Sequence, residues 1–272
     1  MDGRPLSISP QDVYAKLGTA AAPLLIDVRR AAAFDADDRL IIGSARRLPD
    51  QVTGWRGALP AGRSVVAYCV HGHEVSQGVA AALQQNGVAA AYLEGGIAAW
   101  KERGLPTRLK RGQSENKWVT REHPKIDRIA CPWLISRFVN PDAEFIYVPP
   151  NDVANTAERI GGTPYDIKGV EFGHVGDNCS FDAIIRVYGI KDPALDRLAA
   201  IVRGADTSRP DLTPQCEGLL AISYGLSANF RDDHEMLKHG LVMYDALYTW
   251  CRTLQTETHN WPATAVKEAR RG

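Results

Sequence analysis

Hydrophobic and polar positions follow two different patterns along the chain. In roughly the first hundred residues, short continuous apolar runs alternate with stretches of helical periodicity. Such runs are typical of strands buried on both faces, and helices between them predict a parallel sheet with flanking helices. The predicted strands are 24–28, 65–68 and 89–93, and the predicted helices are 9–17 and 76–85. This part of the chain is therefore predicted to have an α/β fold.

The period changes after residue 117. Apolar residues between Ile126 and Phe138 recur at three- and four-residue steps, which is the spacing of one buried helical face, so we expect this region to begin with a helix near Pro124. A capping residue followed by proline predicts the start of a helix, and a glycine predicts its end. The predicted starts are 192–193, 213–214 and 232, the predicted ends are 204 and 225, and one strand is predicted at 144–148. The second region is thus predicted to be mainly α-helical.

The loss of apolar periodicity marks a domain boundary. The segment after residue 104 is charged and rich in turn-forming residues. We predict a first domain at 1–107, a linker at 108–117, a second domain at 118–256 and a tail at 257–272.

Composition narrows the classes of function. Of 272 residues, 32 are Lys or Arg and 32 are Asp or Glu, so bulk charge gives no reason to expect a nucleic-acid partner. No apolar run approaches the roughly 20 residues of a membrane-spanning helix, and no signal segment is recognisable, so no membrane association is expected. The 5 cysteines include no Cys-x-x-Cys pair, which favours a reducing, cytoplasmic location. The oligomeric state stays open.

Cys69 is the main candidate for chemistry. It lies between a predicted strand and a loop that precedes a helix, where backbone N–H groups and the helix dipole stabilise a thiolate. The other interpretation is a small buried apolar residue at the end of a strand. We expect Glu74 to raise the pKa of Cys69, unless a protonated His71 or His73 offsets it. The predicted anion- and persulfide-binding loop comprises Val70, His71, Gly72, His73, Glu74, Val75 and Ser76.

Three further segments, with Cys69, resemble the rhodanese family of sulfurtransferases. Residues 24–29 resemble the family's strand ending in Asp-Val-Arg, and residues 42–45 resemble a reduced form of its Gly-His-Ile-Pro-Gly-Ala segment. Residues 92–100 resemble its Gly-Gly-x-x-x-Trp signature. The resemblance implies that Cys69 accepts sulfane sulfur as a persulfide from a small-molecule or protein donor and passes it to a thiol, with no cofactor required. Asp27 and Arg29 are expected to support the site as a structural pair.

The loop departs from the family pattern. Single-domain rhodaneses usually carry Ser or Thr six residues after the cysteine, whereas this chain has Val75 there and Ser76 next. The longer loop resembles those of phosphatases and arsenate reductases, but these need an arginine that this loop lacks. We therefore favour sulfur transfer over phosphate hydrolysis.

Two clusters in the second region are candidate metal or oxyanion sites. His123, Asp127 and Cys131 are four residues apart and would share one helix face, and a second polar run follows residue 170. Imidazole, carboxylate and thiol groups at short separations are ligands for zinc or iron. Helix capping and core packing are the competing explanation. The residues of the second run are Glu171, His174, Asp177 and Cys179.

The second region resembles the C-terminal domain of ChrB-type chromate-resistance proteins. The similarity is carried by 117–133, 171–182, 203–206, 218–222 and 243–248. The resemblance implies a role in oxyanion or redox-stress response and supplies no reaction. A catalytically silent sensor of an oxyanion or a metal is therefore the alternative to a sulfurtransferase.

Overall fold

The computed structural model describes residues 6–19, 21–111 and 116–256. The predicted tail at 257–272 lies outside them. The strands of the first half are β1 (Ser7–Ile8), β2 (Leu24–Asp27), β3 (Arg39–Ile41), β4 (Ser44–Arg46), β5 (Val65–Tyr68), β6 (Ala90–Leu93) and β7 (Thr107–Leu109). Its helices are α1 (Pro10–Lys16), α2 (Ala31–Asp35), α3 (Val52–Trp55), α4 (Glu74–Gln85) and α5 (Gly96–Glu102).

The first half is the predicted parallel sheet with helices around it. The strand order is β1-β6-β5-β2-β4, and every neighbouring pair is parallel. The central strands β2 and β5 are buried along their whole length, as expected for strands covered on both faces. The α/β fold predicted for this region is confirmed.

The second half is helix-rich and also contains a small sheet. Its strands are β8 (Lys117–Arg121), β9 (Glu144–Val148) and β10 (Thr163–Pro164). Its helices are α6 (Asp127–Leu134), α7 (Val153–Ile160), α8 (Ser180–Tyr188), α9 (Pro193–Asp206), α10 (Cys216–Asn229) and α11 (Asp233–Thr249). The strand order is β10-β8-β9, again parallel. None of the described helices is long and apolar enough to cross a membrane.

Several predicted boundaries in the second half are wrong. The region begins with β8 rather than a helix, because Trp118 and Val119 are buried between two neighbouring strands. Helix α6 begins at Asp127 rather than near Pro124, since Ile126 has a φ of 43° that no α-helix accommodates. Helices α9 and α10 run past the glycines predicted to end them, and α10 begins two residues after the predicted proline. The strand at 144–148 and the caps Asp192 and Asp232 are confirmed.

The two halves share one apolar core. Val13 and Trp100 of the first half belong to the same buried cluster as Trp133 and Tyr248 of the second. Hydrogen bonds also join the halves, from the N–H of Gly43 to the carbonyl of Phe138 at 2.7 Å. The close approach there requires glycine, because a Cβ at Gly43 would collide with the backbone of Arg137.

The segment predicted as a linker begins and ends in strands. Arg108 and Leu109 belong to β7, which pairs antiparallel with β3 of the first half. Lys117 opens β8. The domain boundaries themselves stay a prediction.

Candidate functional site

Cys69 directly follows the buried strand β5 and is 7% exposed. Helix α4 begins at Glu74, two residues before the predicted start, so the connecting loop is short and places the first turn of the helix beside the thiol. The side chains of His71, His73 and Glu74 are exposed on the outside of this turn. One side of the loop therefore packs against the rest of the protein, and the other side is exposed to solvent.

Ser76 is the side chain that contacts the thiol. Its Oγ lies 3.2 Å from the Sγ of Cys69, and Ser76 itself is fully buried. Burial raises the pKa of Cys69, but the Ser76 hydroxyl and the backbone N–H groups of Ser76, His73 and His71 outweigh it, so the pKa lies below its ordinary value. The net pKa of Cys69 is thus lowered, and the separate effect predicted for Glu74 stays a prediction. Sequence reasoning placed Ser76 in the loop without assigning it this contact.

Two glycines hold the loop against the start of α5. Gly96 has a φ of +58°, and a Cβ there would collide with the carbonyl oxygens of Cys69 and Val70. The same carbonyls accept hydrogen bonds at 3.0 Å from the N–H groups of Ile97 and Ala98. Gly72, at a φ of +71°, lies against the backbone of 93–96 in turn. The Gly-Gly signature therefore fixes the backbone of the cysteine loop.

Asp27 and Arg29 form a buried pair at the end of β2. The Arg29 Nε donates to both Asp27 carboxylate oxygens at 3.0 and 2.9 Å, and its Nη2 donates to Oδ2 at 2.6 Å. Arg29 also contacts Asp37 at 2.8 Å. Both side chains of the central pair are 0% exposed. This ion pair lies at the carboxyl end of β2, next to the end of β5 where the cysteine loop begins.

The second half contains a buried cluster of three carboxylates around one imidazole. The Nε2 of His174 lies 3.3 Å from Oδ2 of Asp127, 3.3 Å from Oδ1 of Asp166 and 3.1 Å from Oδ2 of Asp206. The side chains of the three carboxylates are 2%, 6% and 13% exposed, whereas that of His174 is 41% exposed. The Sγ of Cys179 also lies close, because Asp127, Asp206 and Cys179 offer atoms within 4.8 Å of one another. We call these five residues the acidic cluster.

Four segments distant in sequence build the acidic cluster. Asp127 is the first residue of α6, Asp206 is the last residue of α9, and Cys179 is the N-cap of α8. Asp166 follows β10 in a left-handed conformation with a φ of 54°. Its carboxylate also contacts Arg121 and Arg128, at 2.5 and 3.2 Å. Among the described residues, arginines form ion pairs with Asp166 and not with Asp127 or Asp206.

The cluster changes the protonation of its members. Hydrogen bonds to Asp127 and Asp166 raise the pKa of His174 to about 10. Burial, and then the neighbouring Asp127 and Asp166, raise the pKa of Asp206 to about 8. Burial and Asp166 likewise raise the pKa of Asp127. The pKa of Asp166 is lowered, since His174, Arg121 and Arg128 together outweigh its burial. The imidazole is thus cationic at neutral pH.

The remaining predicted metal ligands lie outside the groups of donor atoms that come together. His123 is exposed in the turn before α6, and its backbone N–H donates to Asp233 at 3.1 Å. Cys131 is fully buried one turn after Asp127, and burial followed by Asp127 raises its pKa. Glu171 forms an exposed ion pair with Arg111 at 2.8 Å, and Asp177 is exposed. Of the seven predicted ligands, the structure brings together Asp127, His174 and Cys179, and it adds Asp166 and Asp206.

One cavity borders the cysteine loop, and another lies between the two halves of the chain. A cavity of about 550 Å³ borders the cysteine loop at Val75 and is lined mainly by apolar residues of α3, α4 and the segment before α3. A second cavity of about 360 Å³ lies between the two halves of the chain. Its basic lining residues are Arg46, Arg47, Arg108, Lys110 and Arg111.

The chain matches two family models. Residues 9–103 match the rhodanese-like domain, and residues 118–251 match the C-terminal domain of ChrB. Protein ChrB of Cupriavidus metallidurans is 31% identical over 146 residues, which are 53% of this chain and 44% of that protein. The chain therefore corresponds to less than half the length of this curated relative.

Solved structures match the first half. A rhodanese-related protein from Thermoplasma volcanium is 27% identical, with 39% of this chain and 99% of that chain covered and a TM-score of 0.34. A rhodanese-like domain protein from Staphylococcus aureus is 23% identical, with the same coverage and a TM-score of 0.34.

The first half of the chain is a rhodanese-like domain, in agreement with its parallel sheet and cysteine loop. The second half is a ChrB C-terminal domain, so the protein combines these two domains in one chain.

Proposed function

We propose that the protein is a sulfurtransferase that carries sulfane sulfur on Cys69. The observation that carries this proposal is the contact of the Cys69 thiol with the Ser76 hydroxyl, within a loop whose backbone N–H groups face the sulfur. Hydrogen bonds to the thiolate favour the nucleophilic form of cysteine. The exposed His71 and His73 leave the outer side of the loop open to a donor.

The proposed reaction has two displacements at sulfur. The Cys69 thiolate attacks the outer sulfur of the donor, the donor S–S bond breaks, and the donor leaves as a thiolate or as sulfite. The loop N–H groups of 71–76 then bind the terminal sulfur of the persulfide anion. An acceptor thiolate attacks that sulfur, and Cys69 is released as a thiolate. No net oxidation occurs and no cofactor takes part.

The surroundings of the loop favour an organic donor or acceptor. Val75 belongs both to the loop and to the apolar cavity beside α4. Apolar side chains there would bind the carbon part of a thiol or a thiol persulfide better than the small, charged thiosulfate. The absence of an arginine from 70–76 also disfavours phosphate esters and arsenate.

The test is sulfur transfer by the full chain from thiosulfate and from a thiol persulfide, compared between wild type and Cys69→Ala. Turnover and a mass gain of one sulfur atom on Cys69 in the wild type, both lost in Cys69→Ala, are expected. Cys216→Ala is the matched control, because Cys216 is buried in the other half and its loss leaves the loop unchanged. Transfer that persists in Cys69→Ala, or its absence from the wild type, refutes the proposal.

A sensor without catalysis is the second candidate function. It is favoured by the basic cavity between the domains, whose arginines and lysine suit an oxyanion. The ChrB C-terminal domain suggests that chromate resistance is the setting for either function. Tight binding of chromate or sulfate by a wild type that transfers no sulfur would favour the sensor. Unchanged chromate tolerance after deletion of the coding sequence would contradict this setting.

A further inference from the structure

The acidic cluster brings three carboxylates against a single imidazole nitrogen. The Nε2 of His174 carries at most one hydrogen, yet carboxylate oxygens of Asp127, Asp166 and Asp206 lie within 3.3 Å of it. Arg121 and Arg128 neutralise Asp166, which leaves Asp127 and Asp206 facing one imidazole. Buried carboxylates are retained where they are paired or bind a cation. The imidazole hydrogen and a proton on Asp206, whose pKa is raised, serve these contacts pairwise, whereas a metal cation would be bound by several of the donor atoms at once.

The distances between these donor atoms match the distances between neighbouring ligands of a bound metal ion. Zinc bonds to imidazole nitrogen and carboxylate oxygen are about 2.0–2.2 Å long, so tetrahedral ligands lie about 3.3–3.5 Å apart. His174 Nε2 lies 3.3 Å from Asp127 Oδ2 and 3.1 Å from Asp206 Oδ2. The Sγ of Cys179 lies within 4.8 Å of the same two carboxylates. Asp127 belongs to two groups of donor atoms, one with Cys179 and Asp206 and one with Asp166 and His174, so an ion bound at Asp127 would take ligands from both.

A second observation is independent of the carboxylates. The hydroxyls of Tyr165 and Tyr147 are buried and interact with each other, and among the described residues neither has a hydrogen-bond partner within 3.5 Å. Tyr165 directly precedes Asp166 in the chain. Burial raises the pKa of Tyr165, and the nearby groups Tyr147, Cys131 and Asp166 raise it further. A water molecule in this buried space, such as one bound to a metal ion in the cluster, would complete the hydrogen bonding of these hydroxyls.

We propose that Asp127, His174, Cys179 and Asp206 bind a divalent transition-metal ion of the zinc class. One sulfur, one nitrogen and two oxygen donors suit Zn²⁺ better than Ca²⁺ or Mg²⁺, which take oxygen ligands. Asp166 lies next to this set and keeps its arginine partners. The exposed edge of His174 gives the ion a route from solvent. The carboxylates of the cluster disfavour an oxyanion such as chromate, so this site is distinct from the basic cavity.

The test is metal binding by the full chain in a Cys69→Ala background, which removes the reactive thiol. Chelator-treated protein is titrated with Co²⁺ and Zn²⁺, passed over a desalting column and analysed for metal. We expect one ion per chain, and a Co²⁺ spectrum with a thiolate charge-transfer band that disappears in Cys179→Ser. His174→Gln and Asp206→Asn should each weaken binding by at least about tenfold, the lower end of the loss found for mutations that merely support a metal site.

Asp177→Asn is the matched control, because Asp177 is an exposed carboxylate on the same segment and lies outside the cluster. It should bind Zn²⁺ like the parent protein. Circular dichroism of each variant, compared with the parent, identifies variants that fail to fold, and the conclusion rests on the folded ones. Failure of the parent protein to retain metal, or equal binding by the parent and His174→Gln, overturns the proposal.

Discussion

Removal of the Ser76 hydroxyl tests whether this group lowers the pKa of Cys69. In Ser76→Ala the Oγ at 3.2 Å from Sγ is lost, while the backbone N–H groups of the loop stay. A hydrogen bond to a charged group contributes about 1.5–3 kcal/mol. The hydroxyl has a second acceptor, the carbonyl of His73 at 3.3 Å, so the lower value applies. About 1.4 kcal/mol corresponds to a tenfold change in the ratio of thiolate to thiol.

The expected rate change is smaller than the change in thiolate. A more basic thiolate is also a better nucleophile, with a Brønsted coefficient of about 0.4–0.5. Below the pKa of Cys69, the tenfold loss of thiolate is therefore partly offset, and Ser76→Ala should react about threefold more slowly. Well above the pKa both proteins are fully ionised, so the variant should react about threefold faster. The two pH profiles should cross.

The assay is the rate of alkylation of Cys69 as a function of pH, followed by mass spectrometry so that the four other cysteines are counted separately. Ser64→Ala is the control, because Ser64 is exposed just before β5 and its loss should leave the profile unchanged. Superimposable profiles for the wild type and Ser76→Ala would refute the role assigned to the hydroxyl.

Two further changes probe the backbone and the core. Gly96→Ala should destabilise the protein by more than about 2 kcal/mol, because the φ of +58° disfavours alanine and the new Cβ would collide with the carbonyl oxygen of Cys69. Gly78 lies in open space on α4, so Gly78→Ala should stabilise the protein by about 0.5–1 kcal/mol. Thermal unfolding measures both, and equal melting temperatures would contradict the close approach. Asp192→Ala should cost about 3 kcal/mol in urea unfolding, since its carboxylate caps α9 and accepts from two tyrosine hydroxyls at 2.7 and 2.9 Å. The exposed cap Asp232 should cost only about 1 kcal/mol on the same change, and an equal loss for both would show that the tyrosine contacts contribute nothing.

The first domain was predictable because its signals are local. Each buried parallel strand is a continuous apolar run, so β5 was predicted at its observed bounds and β2 and β6 to within one residue. Helix α1 begins at Pro10, one residue after the predicted start, and Ser9 caps it. The contact between Ser76 and Cys69 was not predictable, because it depends on how many residues the loop takes before α4 begins.

The acidic cluster could be predicted only in part. The spacing of His123, Asp127 and Cys131 has meaning only if one helix contains all three, and the positive φ of Ile126 excludes His123 from α6. Asp166 and Asp206 come from a turn after a two-residue strand and from the last residue of a long helix. Asp166 has no local sequence signal, and Asp206 lies in the segment 203–206 that resembles ChrB without being marked as a ligand. Their convergence on His174 depends on the packing of α6, α8 and α9. Periodicity describes single elements and not their mutual arrangement.

The two domains form one structural unit, which bears on how both sites can be studied. Helix α8 begins at the Cys179 cap beside the acidic cluster and ends at Gly189, whose carbonyl accepts a hydrogen bond at 3.0 Å from Arg39 of the rhodanese-like domain. Tyr14 in α1 likewise donates to Asp192, at the start of α9. Cutting the chain between the domains would expose Trp100 and its neighbours, which the shared core buries. An isolated rhodanese-like domain would therefore differ from the intact chain in stability as well as in composition, so the reactivity of Cys69 must be measured on the full chain.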